Sequence, residues 1–243
     1  MNGITIGEKH TYDDWGLILT ARPEISAPEP KTVMVDLEGA DGSIDLSESL
    51  TGDIAFRNRS FKAEFHVMDD RGEWSAVYSE IMDYLHGQRL QVIFDEDPAY
   101  FYIGRIIVDE WSSDYTTAKI TLSGELEPYK YEITSSLEDW LWDPFSFIDG
   151  VIRDYRDLAV ATGANQTLVI PGSRKPVVPA FIVTLDPEVQ DATMRVWSST
   201  NNKTYTLING RNRIPYIIIR QAGAQFRFTG DGTVSVDYRG GRL

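Results

Sequence analysis

The sequence predicts a mainly β protein in two parts, a β-rich α+β part with one helix and then an antiparallel β-sandwich. Alternating apolar and polar residues indicate strands in the first part, and a single helical stripe of apolar residues interrupts them. About seven short segments rich in β-branched and aromatic residues fill the last part. The predicted division is 1–136, a junction at 137–150, and 151–243.

The strands of the first part are predicted from alternation and short apolar runs. Between Phe61 and Val67 every second residue is apolar, which is typical of a half-buried strand. Thr32 to Leu37 alternates around Val33 and Val35, and a polar turn with two glycines follows it. The other predicted strands and apolar runs are Trp15 to Ala21, Leu90 to Phe94, Phe101 to Val108 and Ala118 to Leu126.

One helix is predicted between Glu73 and His86. Its apolar residues recur at helical spacing and therefore lie on one face. Gly87 stands where a glycine commonly ends a helix. The apolar residues are Trp74, Val77, Tyr78, Ile81 and Leu85. One helix among strands favours an α+β arrangement over alternating βαβ units.

The second part is predicted to be a sandwich or jelly roll, because turn residues separate most of its short strands. Gly230-Asp231-Gly232 indicates a hairpin. The predicted strands are Thr167 to Ile170, Val177 to Leu185, Thr193 to Ser198, Thr204 to Ile208, Ile214 to Arg220, Gln225 to Phe228 and Thr233 to Tyr238.

The junction separates two regions of different charge. Residues 1–136 hold 11 Lys and Arg against 26 Asp and Glu, a net charge of −15, and the remainder is 12 − 11 = +1. Flexible linkers favour Gly, Ser and Pro, so an aromatic junction predicts packing against one or both domains. The interdomain packing residues expected from this reasoning are Trp140, Trp142, Phe145 and Phe147.

Composition excludes several classes of function. The chain has no cysteine, which rules out disulfides, thiolate nucleophiles and cysteine-based zinc sites. Its net charge of −14 argues against nucleic-acid binding and against docking on anionic membranes. No run of residues is long and apolar enough for a membrane span, and the N-terminus lacks the apolar segment of a secretory signal.

No catalytic, cofactor-binding or metal-ligating residue is predicted. The three histidines have no metal-binding spacing, and phosphate-binding and dinucleotide-binding glycine motifs are absent. The acidic clusters Asp69-Asp70, Asp95-Glu96-Asp97 and Asp109-Glu110 fall at apparent strand ends and turns, where solvated acids are common. A catalytic carboxylate pair of the glycosidase type, or a calcium site at Asp95 to Asp97, is the less favoured interpretation.

Trp197 and Tyr205 allow two interpretations. On the surface of a sandwich they could stack on a carbohydrate ring, whereas inside it they would fill the core. The strands need large apolar residues, so the core is favoured. Carbohydrate binding for host-wall attachment stays open as the alternative function.

Several local strings together resemble the distal tail protein family of long-tailed bacteriophages and prophages of Gram-positive hosts. The strings are Asp14 to Leu17, Gly39 to Ser47, Phe56 to Arg59, Trp140 to Phe145 and Phe228 to Gly241. They occur in the family's order along essentially the whole chain. No large insertion is visible in the second part, which corresponds to the short form of the family.

The resemblance implies a non-enzymatic virion protein without cofactor, located at the tail tip and made in the host cytoplasm. In the family, the N-terminal domain forms a six-membered ring that continues the tail tube, and a galectin-like C-terminal sandwich projects outward. Expected partners are further copies of the chain, the tail tube protein, a tail-associated fibre-like or lysin protein and a receptor-binding protein. DNA passes through the ring without specific binding.

An acidic channel would repel the phosphates of passing DNA over about 8 Å at physiological salt. The acidic first part suits this role. The candidate channel-facing acids are Asp69, Asp70, Asp95, Glu96 and Asp97, and the alternative is that they belong to a generic solvated surface.

Overall fold

The structure is a computed structural model that describes residues 3–67, 74–113, 117–138 and 154–243. The chain divides into two compact units, Met1–Lys130 with Leu243, and Tyr131–Arg242. The domain division expected from the sequence stays a prediction, because most of the junction lies outside the described residues. The mainly β fold class, with one helix among the described residues, is confirmed.

The first unit is built on one antiparallel sheet with the order β2-β1-β8-β9-β10-β7-β3, and β4 also pairs with β7. A separate hairpin consists of β5 and β6. The elements are β1 (Ile4–Ile6), β2 (Lys9–His10), β3 (Leu17–Leu19), β4 (Glu24–Ile25), β5 (Met34–Asp36), β6 (Ser43–Asp45), β7 (Arg59–Val67), α1 (Trp74–Leu85), β8 (Arg89–Phe94), β9 (Tyr100–Ser113) and β10 (Ala118–Leu126).

Strand β7 shows why this sheet forms a core on one face. Its odd-numbered residues from Arg59 to Val67 are buried, and its even-numbered residues are exposed or half-buried. Phe65 pairs with Ile120 of β10 and is fully buried. Ile81 and Leu85 of α1 join the same core from the helix side. The alternation in β7 and the apolar stripe of α1 therefore meet at one hydrophobic layer.

The predicted end of the helix is confirmed. Gly87 follows α1 with a φ of 75°, a left-handed conformation that glycine adopts without steric cost. Its N–H donates to the carbonyl oxygen of Ile106 in β9 at 2.8 Å. The residue that ends the helix thus also attaches the chain to the central sheet.

The second unit is an antiparallel sandwich of two four-stranded sheets, β12-β19-β14-β17 and β13-β18-β15-β16. Strands β11 and β20 also pair with each other. The elements are β11 (Lys130–Glu132), β12 (Leu158–Val160), β13 (Gln166–Ile170), β14 (Ala180–Leu185), β15 (Met194–Ser198), β16 (Lys203–Leu207), β17 (Gly210–Arg213), β18 (Ala224–Gly230), β19 (Gly232–Asp237) and β20 (Gly241–Arg242).

Aromatic residues from both sheets fill the sandwich core. The ring of Phe181 on β14 lies 5.4 Å from that of Phe226 and 5.9 Å from that of Phe228, both on β18, in edge-to-face geometry. Each such pair stabilises the fold by about 0.5–1.5 kcal/mol in addition to the stabilisation from its buried apolar surface. Ser136 is also buried in this unit, where its hydroxyl donates to the carbonyl oxygen of Val236.

Two details of the predicted strands are wrong. Ile214 to Arg220 is not a strand, although Ile217 and Ile219 are fully buried; only an isolated bridge joins Ile219 to Val177. Pro215 has no N–H to donate to a neighbouring strand. The buried isoleucines of this segment fill the sandwich core without belonging to a hydrogen-bonded strand.

The turn at Gly230-Asp231-Gly232 is not a hairpin, because it connects β18 in one sheet to β19 in the other. Both glycines have φ near 135°, at 134° and 137°. A Cβ at Gly230 would lie 1.9 Å from the carbonyl oxygen of Thr193, and one at Gly232 would lie 2.2 Å from that of Thr184. The glycines permit this close approach of two backbones rather than a two-residue turn.

Candidate functional site

The hairpin formed by β5 and β6 is the most unusual surface of the first unit. We call residues 33–46 the apolar hairpin. Every residue from Lys31 to Leu46 is exposed. At its base a bridge joins Pro30 to Phe56, and the Lys31 N–H donates to the carbonyl oxygen of Ala55 at 2.8 Å. The hairpin is therefore attached to the unit at its base and solvated along its length.

One face of the apolar hairpin is made of aliphatic side chains. Val35 pairs with Ile44, and the Leu46 N–H donates to the Val33 carbonyl oxygen. This register places five aliphatic residues on one face, each between 37% and 53% exposed. They are Val33, Val35, Leu37, Ile44 and Leu46. Met34 and the carboxylates of Asp36 and Asp45 lie on the other face.

Ser47 closes the apolar hairpin beside its base. Its hydroxyl accepts a hydrogen bond from the Val33 N–H at 2.8 Å, and its own N–H donates to Asp45 at 2.8 Å. Hydrogen bonds from the Ser47 hydroxyl, and then from its backbone, hold the pKa of Asp45 below its ordinary value of 3.8. Asp45 is therefore charged near neutral pH.

A two-stranded hairpin is at best marginally stable alone in water. Exposed contiguous apolar faces on soluble proteins commonly mark interaction sites. The apolar hairpin thus has the chemistry of a docking element. The sequence signal was the alternation at Thr32 to Leu37 and the two-glycine turn, but sequence reasoning did not pair this strand with Ile44 and Leu46.

The predicted channel-facing acids Asp95, Glu96 and Asp97 lie in the turn between β8 and β9, and each has a partner. Asp95 accepts hydrogen bonds from the Gly3 N–H at 2.6 Å and from His10 Nε2 at 3.3 Å. Glu96 accepts from Arg22, and Asp97 pairs with the Lys130 ammonium. These contacts fix the turn and offset part of its negative charge. That these acids face a channel stays a prediction.

The other predicted residues of the first part and the junction cannot be placed. Asp69 and Asp70, together with Trp140, Trp142, Phe145 and Phe147, lie outside the described residues. Their predicted roles in the channel and in interdomain packing stay predictions.

Trp197 and Tyr205 lie on adjacent strands but face opposite sides of their sheet. Val196 pairs with Tyr205, and Trp197 pairs with Thr204. Tyr205 packs against the sandwich core, and its hydroxyl accepts a hydrogen bond from Asn201 Nδ2 at 2.8 Å. Trp197 alternates with the fully buried Val196 and Ser198 and so points outward. The structure does not bring the two rings together on one surface.

Within 3–67, 74–113, 117–138 and 154–243, no group of three or more His, Asp or Glu side chains is arranged to hold a metal ion. Among the same residues, no helix has the length and apolarity that crossing a membrane requires.

The chain has the fold of a phage distal tail protein. A solved structure with this fold is Dit (gp 19.1) of phage SPP1, described as a paradigm of the hub adsorption apparatus in phages that infect Gram-positive bacteria. The two chains are 11% identical, the match covers 100% of each, and the TM-score is 0.60. No protein-family model and no curated protein matches this chain. The predicted resemblance is confirmed at the level of the fold.

Proposed function

We propose that this chain is a structural hub of a phage tail, in which several copies form a ring that joins the tail tube to the tail tip. The observation that carries the proposal is the match of the whole chain to the whole of SPP1 Dit, a hub protein. A hub works by holding other proteins, so it needs docking surfaces rather than a reaction centre.

The apolar hairpin supplies such a surface. A closed ring requires a heterologous interface, in which one patch of a subunit meets a different patch of its neighbour. An amphipathic hairpin attached only at its base can lay its aliphatic face on a neighbouring copy. Removing a half-exposed aliphatic side chain from water stabilises an interface by about 1 kcal/mol per residue. Five such residues in each subunit make the apolar hairpin the proposed ring contact.

The charge of the first part fits the passage of DNA through this ring. The excess of 15 negative charges over residues 1–136 would oppose adhesion of phosphates to the channel wall. The further partners in the proposal are the tail tube protein on one side, a fibre-like or lysin protein on the other, and a receptor-binding protein. Six copies per ring is the number that the family resemblance suggests.

The test compares two faces of one hairpin. Val35→Asp and Ile44→Asp each place a carboxylate on the aliphatic face, whereas Met34→Asp places one on the opposite face at a similarly exposed position. We expect the unaltered chain and Met34→Asp to form a ring of about six copies, and both aliphatic-face variants to stay monomeric with unchanged melting temperature. Light scattering gives the mass, and negative-stain microscopy gives the shape.

The same measurements are repeated with the tail tube protein present, because a ring can require its partner in order to close. A chain that remains monomeric under both conditions contradicts the ring. If the Val35→Asp and Ile44→Asp variants form the ring as well as the unaltered chain does, the apolar hairpin is not the ring contact. The proposal that the chain is a hub is unaffected by that result.

A further inference from the structure

The outward face of the β13-β18-β15-β16 sheet carries a second surface, which we call the outer face. Its centre is Trp197. In register, Arg227 of β18 lies on one side of Trp197 and Thr204 of β16 lies on the other. The residues before and after Trp197 are fully buried in the core, so the indole is directed away from it. The outer face therefore presents one aromatic ring, on one of the two central strands of the sheet.

The ring of Trp197 is held in a fixed orientation. Its Nε1–H donates to Asn202 Oδ1 at 3.1 Å, and Asn202 occupies the turn after β15 with a φ of 55°. The guanidinium of Arg227 lies over one face of the indole, 5.0 Å from the ring centre. A ring that is already oriented loses little conformational freedom when a ligand stacks on it. Trp197 is thus preorganised as a platform.

The outer face is basic in an acidic protein. The four strands of this sheet contain Arg195, Lys203 and Arg227 and no Asp or Glu. Arg195 and Arg227 both project outward, and among the described residues neither forms an ion pair. On the other sheet, by contrast, Arg211 pairs with Asp237 at 2.6 Å. Two guanidinium groups without a carboxylate partner are available to an anionic ligand.

Most of the remaining outward residues are hydrogen-bonding groups, and Val169 of β13, which pairs with Gln225, is an exposed aliphatic exception. Thr204 and Thr206 stand on β16, and Gln225 and Thr229 stand on β18, all exposed. Hydroxyl and amide groups around one aromatic ring match a pyranose, which has an apolar face and a rim of hydroxyls. The two guanidinium groups, which have no carboxylate partner among the described residues, add a preference for a negative substituent on the sugar.

We propose that the outer face binds an acidic polysaccharide, with one sugar ring stacked on the indole face of Trp197 that Arg227 does not cover and its carboxylate or phosphate paired with Arg227 and Arg195. Single-stranded nucleic acid is disfavoured, because proteins that bind it stack successive bases on several aromatics. Trp197 is the only aromatic that these four strands turn outward; Tyr205, Phe226 and Phe228 belong to or pack against the core. The proposal concerns the second unit and does not depend on ring formation.

The test titrates the full chain with four probes: oligogalacturonate, neutral galacto-oligosaccharide of the same length, phosphomannan and oligo-dT. Calorimetry gives the affinity, and the indole N–H resonance that disappears in Trp197→Phe reports contact at the platform. We expect oligogalacturonate or phosphomannan to bind at least tenfold more tightly than the neutral sugar and to shift that resonance. The two acidic probes distinguish a carboxylate from a phosphate as the anionic group.

Variants assign the binding to the outer face. Trp197→Ala should lower the affinity at least tenfold, and Arg227→Gln and Arg195→Gln several-fold each. The matched controls are Tyr205→Phe, which alters a ring on the core side, and Arg211→Gln, which removes a guanidinium from the opposite sheet. Both controls should bind as the unaltered chain does. Among the described residues the Arg195 side chain forms no hydrogen bond or ion pair, so its variant should fold and tests the proposal even if Trp197→Ala fails to fold.

Four results overturn the proposal. They are the absence of binding to both acidic glycans, equal binding of the neutral sugar, preferential binding of oligo-dT, and affinity that the outer-face substitutions leave unchanged.

Discussion

Strand β7 and the apolar hairpin both alternate apolar with polar residues, but only β7 buries its apolar side within the chain. Phe61 and Phe65 of β7 are at most 2% exposed, whereas Val35 and Ile44 of the hairpin are 37% and 47% exposed. β7 has β10 on one side and β3 on the other, with α1 packed on the same core, whereas among the described strands β5 pairs with β6 alone. Alternation therefore indicates an apolar face that is buried in the functional state, and either the same chain or another molecule can bury it.

The largest effect expected from this comparison is in β7. Phe65→Ala removes a fully buried ring from the core and should lower the free energy of unfolding by about 3–5 kcal/mol. Urea denaturation of the monomer measures it. The exposed neighbour variant Lys62→Ala serves as the control and should change the value by less than about 0.5 kcal/mol. A loss below about 1 kcal/mol for Phe65→Ala would mean that this core is not packed as described.

The same kind of truncation in the apolar hairpin should hardly affect the monomer. Ile44→Ala removes a side chain that is already half exposed, so unfolding of the dilute chain should change by less than about 0.5 kcal/mol. In the assembled ring, each contact should weaken by about 1 kcal/mol. Denaturation at low concentration and dissociation of the ring on dilution separate the two values. A large monomer effect would show that the hairpin packs within its own chain.

A smaller effect is expected where the hairpin is closed. Ser47→Ala removes the acceptor for the Val33 N–H and should increase local opening by about 0.5–1.5 kcal/mol without changing global stability. Hydrogen exchange at the Val33 amide reports this opening. Ser49→Ala is the control, because the Ser49 hydroxyl bonds only the Leu46 carbonyl oxygen. Equal exchange in both variants would argue against Ser47 as the closing residue.

The smallest effects are those of pH on exposed groups. The Ser47 hydrogen bonds lower the pKa of Asp45 in the folded chain. The stability that ionised Asp45 contributes to the fold is therefore present above pH 3.8 and is lost as the pH falls through the lower folded pKa. On β7, hydrogen bonding to Lys62 lowers the pKa of Glu64 below 4.5, with the same sign. Hydrogen bonding to Glu64 raises the pKa of Lys62 above 10.5. The stability that charged Lys62 contributes to the fold is therefore lost only as the pH rises through this higher pKa.

Carboxyl NMR titration measures both acids. We expect Ser47→Ala to return the pKa of Asp45 toward 3.8 while the pKa of Glu64 keeps its lowered value. A midpoint for Asp45 at or above 3.8 in the unaltered chain would contradict the hydrogen-bonded hairpin base.

Elements with a strong local period could be predicted closely. The stripe from Trp74 to Leu85 and the glycine after it define α1, because helix periodicity and capping depend on neighbours in sequence. β12 and the short β1 and β2 were missed, since two or three residues carry too little pattern. Ile214 to Arg220 was predicted as a strand because strand pairing and core filling select the same β-branched residues.

The candidate surfaces were predictable only in part. The sequence favoured a core position for both Trp197 and Tyr205, with sugar stacking as the alternative. The register places Val196 opposite Tyr205, so Tyr205 packs against the core while Trp197 faces outward. The sequence could not predict that the outer face is basic. Arg195 and Arg227 lie far apart along the chain, and only the pairing of β15 with β18 brings them onto one face.

Local sequence patterns were enough to predict a mainly β protein with one helix, a sandwich in its second half and an acidic first half. Periodicity, turn residues and charge are properties of short segments and need no knowledge of distant partners. The folded arrangement alone determined which strands pair, that Gly230 and Gly232 join two sheets, and which alternating face remains uncovered. Strand pairing depends on partners far away in sequence, and a sequence pattern records only that a face is apolar, not which molecule covers it.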